Sequence, residues 1–252
     1  MNIFFQWLPL IVFSSSAALI AGGYLPWRRA VFRAKLEGQI PETLRALADS
    51  VAGGMDLRSA FEVVASLGLR PMADVARRIL ALTAVGGMTV EEALWQVAEG
   101  TGSANFKRFA LIVAEAARSG AKLPEVLGTA ARTFATVVEF RRDIESQLRP
   151  YVALYYALIV TFVVLADVLV YFLLPQLAQL ASRVSGPGIT PAVINREDAI
   201  VVLYFSALAQ ALIGGLIIGR IVYFSPSAGL VHAGIASGAA GLALLLPLWA
   251  RF

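Results

Sequence analysis

The sequence predicts an all-α, polytopic membrane protein with about four transmembrane helices and an inserted cytoplasmic six-helix bundle. Three observations carry that expectation. First, 58% of the 252 residues are hydrophobic and only 15% charged, with a mean hydropathy of +0.73; a soluble domain is nearer 45–50% apolar and about 25% charged. Second, the charge is segregated: residues 27–150 hold 17 of the 21 Lys and Arg and 14 of the 17 Asp and Glu. Third, a short pattern occurs three times in that charged block, beginning at Gly54, Gly87 and Gly120, two equal intervals of 33 residues. A fixed period of that size marks a repeated supersecondary unit.

Residues 1–26 are expected to form the first transmembrane helix. Ile3 to Leu25 carries no charge, and its length suffices for the roughly 30 Å hydrocarbon core. No Lys or Arg precedes the run and no small-residue cleavage site closes it, so a secretory signal is a poor fit. Arg28, Arg29, Arg33 and Lys35 follow it. By the positive-inside rule this end is cytoplasmic and the N-terminus outside, with Trp27 in the interfacial aromatic belt.

Residues 27–150 are expected to form the cytoplasmic helical bundle. After each repeat glycine the apolar spacing is i, i+3, i+4, i+7, i+8, the stripe of one buried helix face. The stripes are Leu57, Ala60, Phe61, Val64, Ala65; Val90, Ala93, Leu94, Val97, Ala98; and Leu123, Val126, Leu127, Ala130, Ala131. Asp56 and Thr89 stand at N-cap positions, and Thr89 with Glu92 makes a capping box. Pro124 suits a first helical turn. Helices also precede the glycines, over about Glu42–Ala52, Met72–Val85 and Ser103–Arg118, each closed by a glycine stop. The unit is therefore helix, glycine turn, helix, three times over, joined at Gly68–Pro71 and Gly100–Ser103.

The last bundle helix is expected to run from Leu123 to Arg149. Pro150 lacks an N–H and restricts its predecessor, which predicts a kink at the membrane surface. Residues 151–175 are the second span and 176–198 an extracytoplasmic loop containing Pro187-Gly188 and Pro191. Residues 199–252 hold the third and fourth spans around a short turn at Arg220 to Ser227, leaving Arg251 outside. The protein is thus expected to be a multi-pass protein of the cell (inner, cytoplasmic) membrane with both termini outside.

Several function classes are excluded or unsupported. There is no cysteine and a single histidine, His232, which excludes disulfides, thiolate metal sites and His-rich metal sites. No phosphate loop, nucleophile elbow or histidine-activated nucleophile is present in the charged block. No catalytic, cofactor-binding or metal-ligating residue is assigned, and no cofactor is expected. The block's small positive excess does not argue for nucleic acid.

Four sets of residues remain as candidates. Asp167 lies inside the second span, where a carboxyl is costly and a functional candidate by default. His232 is no partner for it: Asp167 is about 16 residues in from the cytoplasmic side and His232 about 5, an offset of roughly 16 Å. Gly215 with Gly219, and Gly234 with Gly238, form two GxxxG motifs that suit close packing of spans three and four. Arg77, Arg78, Lys107, Arg108, Arg118 and Lys122 form basic clusters suited to docking an acidic partner.

The block resembles the cytoplasmic domain of the type II secretion F family, the inner-membrane platform proteins of type II secretion, type IV pili, tight-adherence pili and archaella. The stretches that carry the resemblance are Gly53–Phe61, Gly87–Leu94 and Ser119–Leu127, with Gly54, Gly87, Ser119 and Gly120 as structural motif residues. The last stretch, Ser-Gly before a Leu-x-x-Val-Leu helix start, is the most telling. The tail, Gly215–Arg220 and Ser227–His232, resembles the last spans of archaeal platform proteins. Many bacterial members carry a glutamate just before the Ser-Gly; here Ala117 and Arg118 stand there and Glu115 lies further back. Many members also contain two copies of the domain, whereas this chain has one.

The resemblance implies a non-enzymatic platform for a type IV filament or type II secretion-like assembly machine. Its implied partners are a cytosolic hexameric secretion ATPase, pilin-like subunits, membrane lipid and a second copy or a paralogous platform subunit. Two other classes compete with it. A permease subunit of an ATP-driven transporter is suggested by Glu115-Ala116-Ala117 before Gly120, one residue short of the Glu-Ala-Ala-x3-Gly coupling motif. A membrane scaffold without a motor is the other.

Overall fold

The structure is a computed structural model that describes residues 3–118, 120–184 and 195–249. The motif residue Ser119, the Pro187-Gly188 and Pro191 turns, and Arg251 lie outside the described residues. Among the described residues ten α-helices follow one another: α1 Ile3–Gly38, α2 Ile40–Ala52, α3 Leu57–Ser66, α4 Met72–Gly86, α5 Val90–Thr101, α6 Ala104–Arg118, α7 Leu123–Asp167, α8 Leu174–Val184, α9 Arg196–Tyr223 and α10 Leu230–Trp249. No strand occurs among the described residues. Among the described residues four helical stretches are long and apolar enough to cross a membrane. The chain is therefore an all-α polytopic protein. It divides into two compact units, Arg29–Ser146 on one hand and Met1–Arg28 with Gln147–Phe252 on the other.

In the unit Arg29–Ser146 the three glycine turns have a common backbone basis. Gly54, Gly87 and Gly120 have φ of 87°, 63° and 64°, a left-handed conformation that a Cβ penalises. Gly87 is the residue that ends α4. The next helices start on side-chain caps. Asp56 accepts from the Ser59 amide at 3.0 Å, and the Ser59 hydroxyl and then its amide, favouring the ionised form, lower the carboxyl's pKa. Thr89 and Glu92 close a reciprocal capping box at 3.2 and 3.0 Å.

The apolar stripes of these helices meet in one core, which includes Leu44, Leu47, Phe61, Ile79, Leu94, Phe109 and Leu127. Phe106 and Phe109 pack with ring centroids 5.1 Å apart. One expected stripe position turns outward: Val126 is 37% exposed.

Three boundaries differ from expectation. The first helix does not end near residue 26: α1 continues to Gly38, and its Leu36 is fully buried in the bundle core. The basic stretch after Trp27 contains no breaker, and Pro26 is absorbed inside the helix. The bundle therefore contains the end of α1 as well as α2–α6 and the first half of α7. Second, Pro150 does not end a helix; it lies inside the 45-residue α7. The departure from α geometry comes later, as a π-helical segment at Val168–Leu173. Third, the expected loop 176–198 is partly helical, being covered by α8 up to Val184 and by α9 from Arg196.

The membrane unit has its own cores. Leu8, Val12, Ala166, Val170, Ile200, Tyr204 and Leu244 form one, Ile159, Val163, Ala207, Ala211, Ala236 and Ala240 another. Hydroxyls near the cores are bonded, as apolar surroundings demand. Ser15 and Tyr204 are 2.7 Å apart, Tyr171 donates to the Leu244 carbonyl at 2.7 Å, and Tyr155 donates to the Ala211 carbonyl at 3.0 Å.

Candidate functional site

The densest polar network of the bundle unit is centred on Glu37, in the last turn of α1. Ser103, nearly fully buried, starts α6: its hydroxyl accepts from the Phe106 amide at 3.0 Å and donates to Glu37 Oε1 at 2.5 Å. Asn105 Nδ2 and Arg141 Nη1 donate to Glu37 Oε2 at 2.9 and 2.7 Å. Arg141 Nε also lies 3.4 Å from Glu145. The Glu37 side chain is 13% exposed and that of Arg141 26%. A carboxylate this enclosed is tolerated because three donors, one of them cationic, replace its water.

Gln39 extends the network. Its Nε2 donates to the Arg70 carbonyl at 2.8 Å, and its Oε1 accepts from the Met72 amide at 3.0 Å. Pro71, which precedes α4, supplies no side-chain cap. Gln39 does that work from outside, satisfying the first amide of α4. Beside the network opens a cleft of about 510 Å³, lined among others by Lys35, Arg70, Phe134, Val137, Arg141 and Arg142.

The basic residues named from sequence are dispersed over α4, α6 and the turn before α7. Arg77 is exposed and paired with Asp74 at 2.9 Å. Arg78 lines a separate, smaller cleft with Phe32 and Val97. Arg118 lies 3.9 Å from Glu115. Arg108 and Lys122 are exposed and Lys107 half-buried. None of the six lines the cleft beside Glu37. Among the described residues no group of three or more His, Cys, Asp or Glu is arranged to hold a metal ion.

In the membrane unit, Gly215 and Gly219 receive the segment between α9 and α10. A Cβ at Gly215 would fall 2.7 Å from that of Ala233, and one at Gly219 would collide with Gly229. The other motif serves a different contact from the one expected. Gly234 and Gly238 face α1, where a Cβ would meet Ile20 at 2.6 Å and Ser16 at 3.1 Å. The face of α10 that meets α9 is supplied by larger residues such as Ala233, so the second motif is free to admit α1.

Asp167 ends α7 immediately before the π-helical segment, and its Oδ1 is buried without a hydrogen-bond partner. His232 is bonded on both ring nitrogens. The Tyr156 hydroxyl is 2.7 Å from Nδ1 and the Tyr223 hydroxyl 3.3 Å from Nε2, and the Tyr223 ring stacks on the imidazole. This cluster ties α7, α9 and α10 together.

Sequence reasoning missed Glu37, Gln39, Ser103 and Arg141. Glu37 joins residues 66, 68 and 104 positions away, beyond any local periodicity. Its one local signal is a carboxylate placed one residue after Leu36, on a helix that enters a core.

The arrangement comprises a buried ionic hub, a capped helix junction and a charged cleft. The family model for type II secretion system (T2SS), protein F matches residues 43–170, half of the chain. Comparison with curated proteins and with solved structures finds no match. That family match, over a glycine-turn helical bundle that leads into membrane-spanning helices, carries the assignment: the chain belongs to the type II secretion system protein F family, the multi-pass membrane platform proteins of secretion- and pilus-type systems.

Proposed function

We propose that this chain is the platform that couples a cytosolic hexameric secretion ATPase to the insertion of pilin-like subunits into a filament, or to their extraction. The observation that carries the reading is the continuity of α7. It begins at Leu123 in the bundle core and runs without interruption past Pro150 to Asp167 in the membrane unit. An unbroken helix transmits displacement along its axis, whereas a loop absorbs it. The Glu37–Arg141 bond supports the same reading, because it joins α7 to the end of α1, the other helix that leads from one unit into the next. The cations Arg77, Arg78, Lys107, Arg108, Arg118 and Lys122 would steer an acidic ATPase surface towards the bundle.

The system we favour is an archaeal-like filament machine of the archaellum or pilus kind. Its partner within the membrane would be a second copy of this chain or a paralogous platform subunit. Full-length protein extracted in mild detergent should then retain a hexameric secretion ATPase on co-purification. Loss of most of that ATPase is expected when all six cations are reversed to Glu. Recovery of the platform with no ATPase, under conditions that preserve the complex, would leave the motorless scaffold. Substrate-stimulated ATP-dependent uptake would instead favour the permease.

The orientation we propose places the N-terminus outside and the bundle in the cytoplasm. The chain is free of cysteine, so single-cysteine variants report cleanly. Glu62→Cys should react with an impermeant maleimide only after the cells are opened, and Asn195→Cys in intact cells. The reverse pattern would refute the orientation.

A further inference from the structure

The cleft beside Glu37 combines features that a plain solvated groove lacks. Part of its lining is apolar: Phe134 is 8% exposed, but Val137 beside it is 48% exposed. One turn further on, on the same face of α7, Phe140 is 66% exposed. Apolar side chains left open on the charged unit of a protein mark an interaction site when they gather beside a cavity.

The charged part of the lining is mostly cationic: Lys35, Arg70, Arg141 and Arg142 stand against Glu37 and Glu145. Both carboxylates are already engaged, Glu37 by three donors and Glu145 by Arg141. Arg70 lies 3.9 Å from Asp74. Lys35 and Arg142 have no ion-pair partner among the described residues. The cleft therefore presents exposed positive charge at Lys35 and Arg142 and exposed apolar surface at Val137, on a framework fixed by the Glu37 hub.

We infer that this cleft receives an acidic peptide segment of the cytosolic ATPase, with one apolar side chain seated on Val137 and Phe134 and carboxylates on Lys35 and Arg142. This rests on the coupling function proposed above and names where the motor engages. The volume, about 510 Å³, suits one or two side chains of a peptide. Two wall carboxylates leave the lining only modestly positive, which fits singly charged carboxylates better than a polyphosphate or a nucleic-acid backbone. The segment would sit between the last turn of α1 and the middle of α7. It would thus act on the two helices that lead into the membrane unit, while the dispersed cations of α4 and α6 steer the approach.

The test measures the affinity of the full-length, detergent-solubilised protein for the purified secretion ATPase of the same cell. Val137→Glu combined with Arg142→Glu alters the cleft through exposed positions only. Unchanged hydrogen-exchange protection in α2–α6 verifies that this variant folds. Arg45→Glu combined with Arg58→Glu, at exposed positions of α2 and α3 outside the cleft, is the comparison. The cleft variant should bind about tenfold or more weakly, as loss of a central anchor does. The comparison variant should stay within about threefold of wild type, as peripheral charges do. A folded cleft variant that binds like wild type, or a larger loss in the comparison variant, overturns the cleft as the docking point and leaves the coupling function standing. Wild-type protein that does not bind the ATPase overturns the coupling function, and the cleft assignment with it.

Discussion

Glu37 gathers three donors from two distant stretches of chain, the start of α6 and the middle of α7, and so ties the end of α1 to both. Removing one member of an enclosed ion pair costs about 3–5 kcal/mol when the other charge stays buried. Arg141 is a quarter exposed and retains Glu145, so solvent and the second carboxylate reduce that figure to about 2–3 kcal/mol. Glu37→Ala should lower the opening free energy of bundle amides by that amount, read by hydrogen exchange on the full-length protein in detergent. Arg141→Ala should cost a similar amount. The double variant should cost less than the two single variants together, because the second substitution removes a charge the first had stranded. Additive losses would mean that the pair is a surface contact with no coupling. None of this was legible locally. The Glu37 partners are brought together by packing of α6 and α7 on the end of α1, and no spacing rule spans such separations.

The helices themselves were far more legible. Glycine stops, N-caps and apolar stripes act within four or five residues, the range over which sequence dictates backbone. Asp56, Thr89 and Glu92 accordingly stand in the roles their spacing predicts. Legibility failed where a breaker was read too strongly or a non-breaker too weakly. Pro150 is accommodated inside α7, and the uninterrupted stretch after Trp27 keeps α1 helical into the bundle. The GxxxG motifs were visible, but their partners were not, since small residues permit close approach without specifying what approaches.

The close approach at Gly219 leads to a direct expectation. Any Cβ there collides with the Gly229 backbone, and overpacking of a rigid contact costs typically about 1–3 kcal/mol or more. Gly219→Val should therefore markedly lower the thermal stability of the detergent-solubilised protein. Gly22→Ala, where the space is open, should be neutral or mildly stabilising. Equal effects of the two would mean that α9 and its neighbours do not pack as described.

At the scale of the whole molecule, segregation of charge already separated the bundle from the membrane helices, because the energetic cost of charge in hydrocarbon is large enough to shape composition. What composition could not convey is how the two units are connected. Both α1 and α7 pass from one unit into the other as continuous helix, and we propose that α7 carries motor displacement towards the membrane. A flexible Gly-Ser insert placed immediately before Pro150 tests that claim most directly, with filament assembly in cells as the readout. The expected result is a folded platform that still retains its ATPase on co-purification and assembles no filaments. Normal filament assembly by the insert variant would contradict the account.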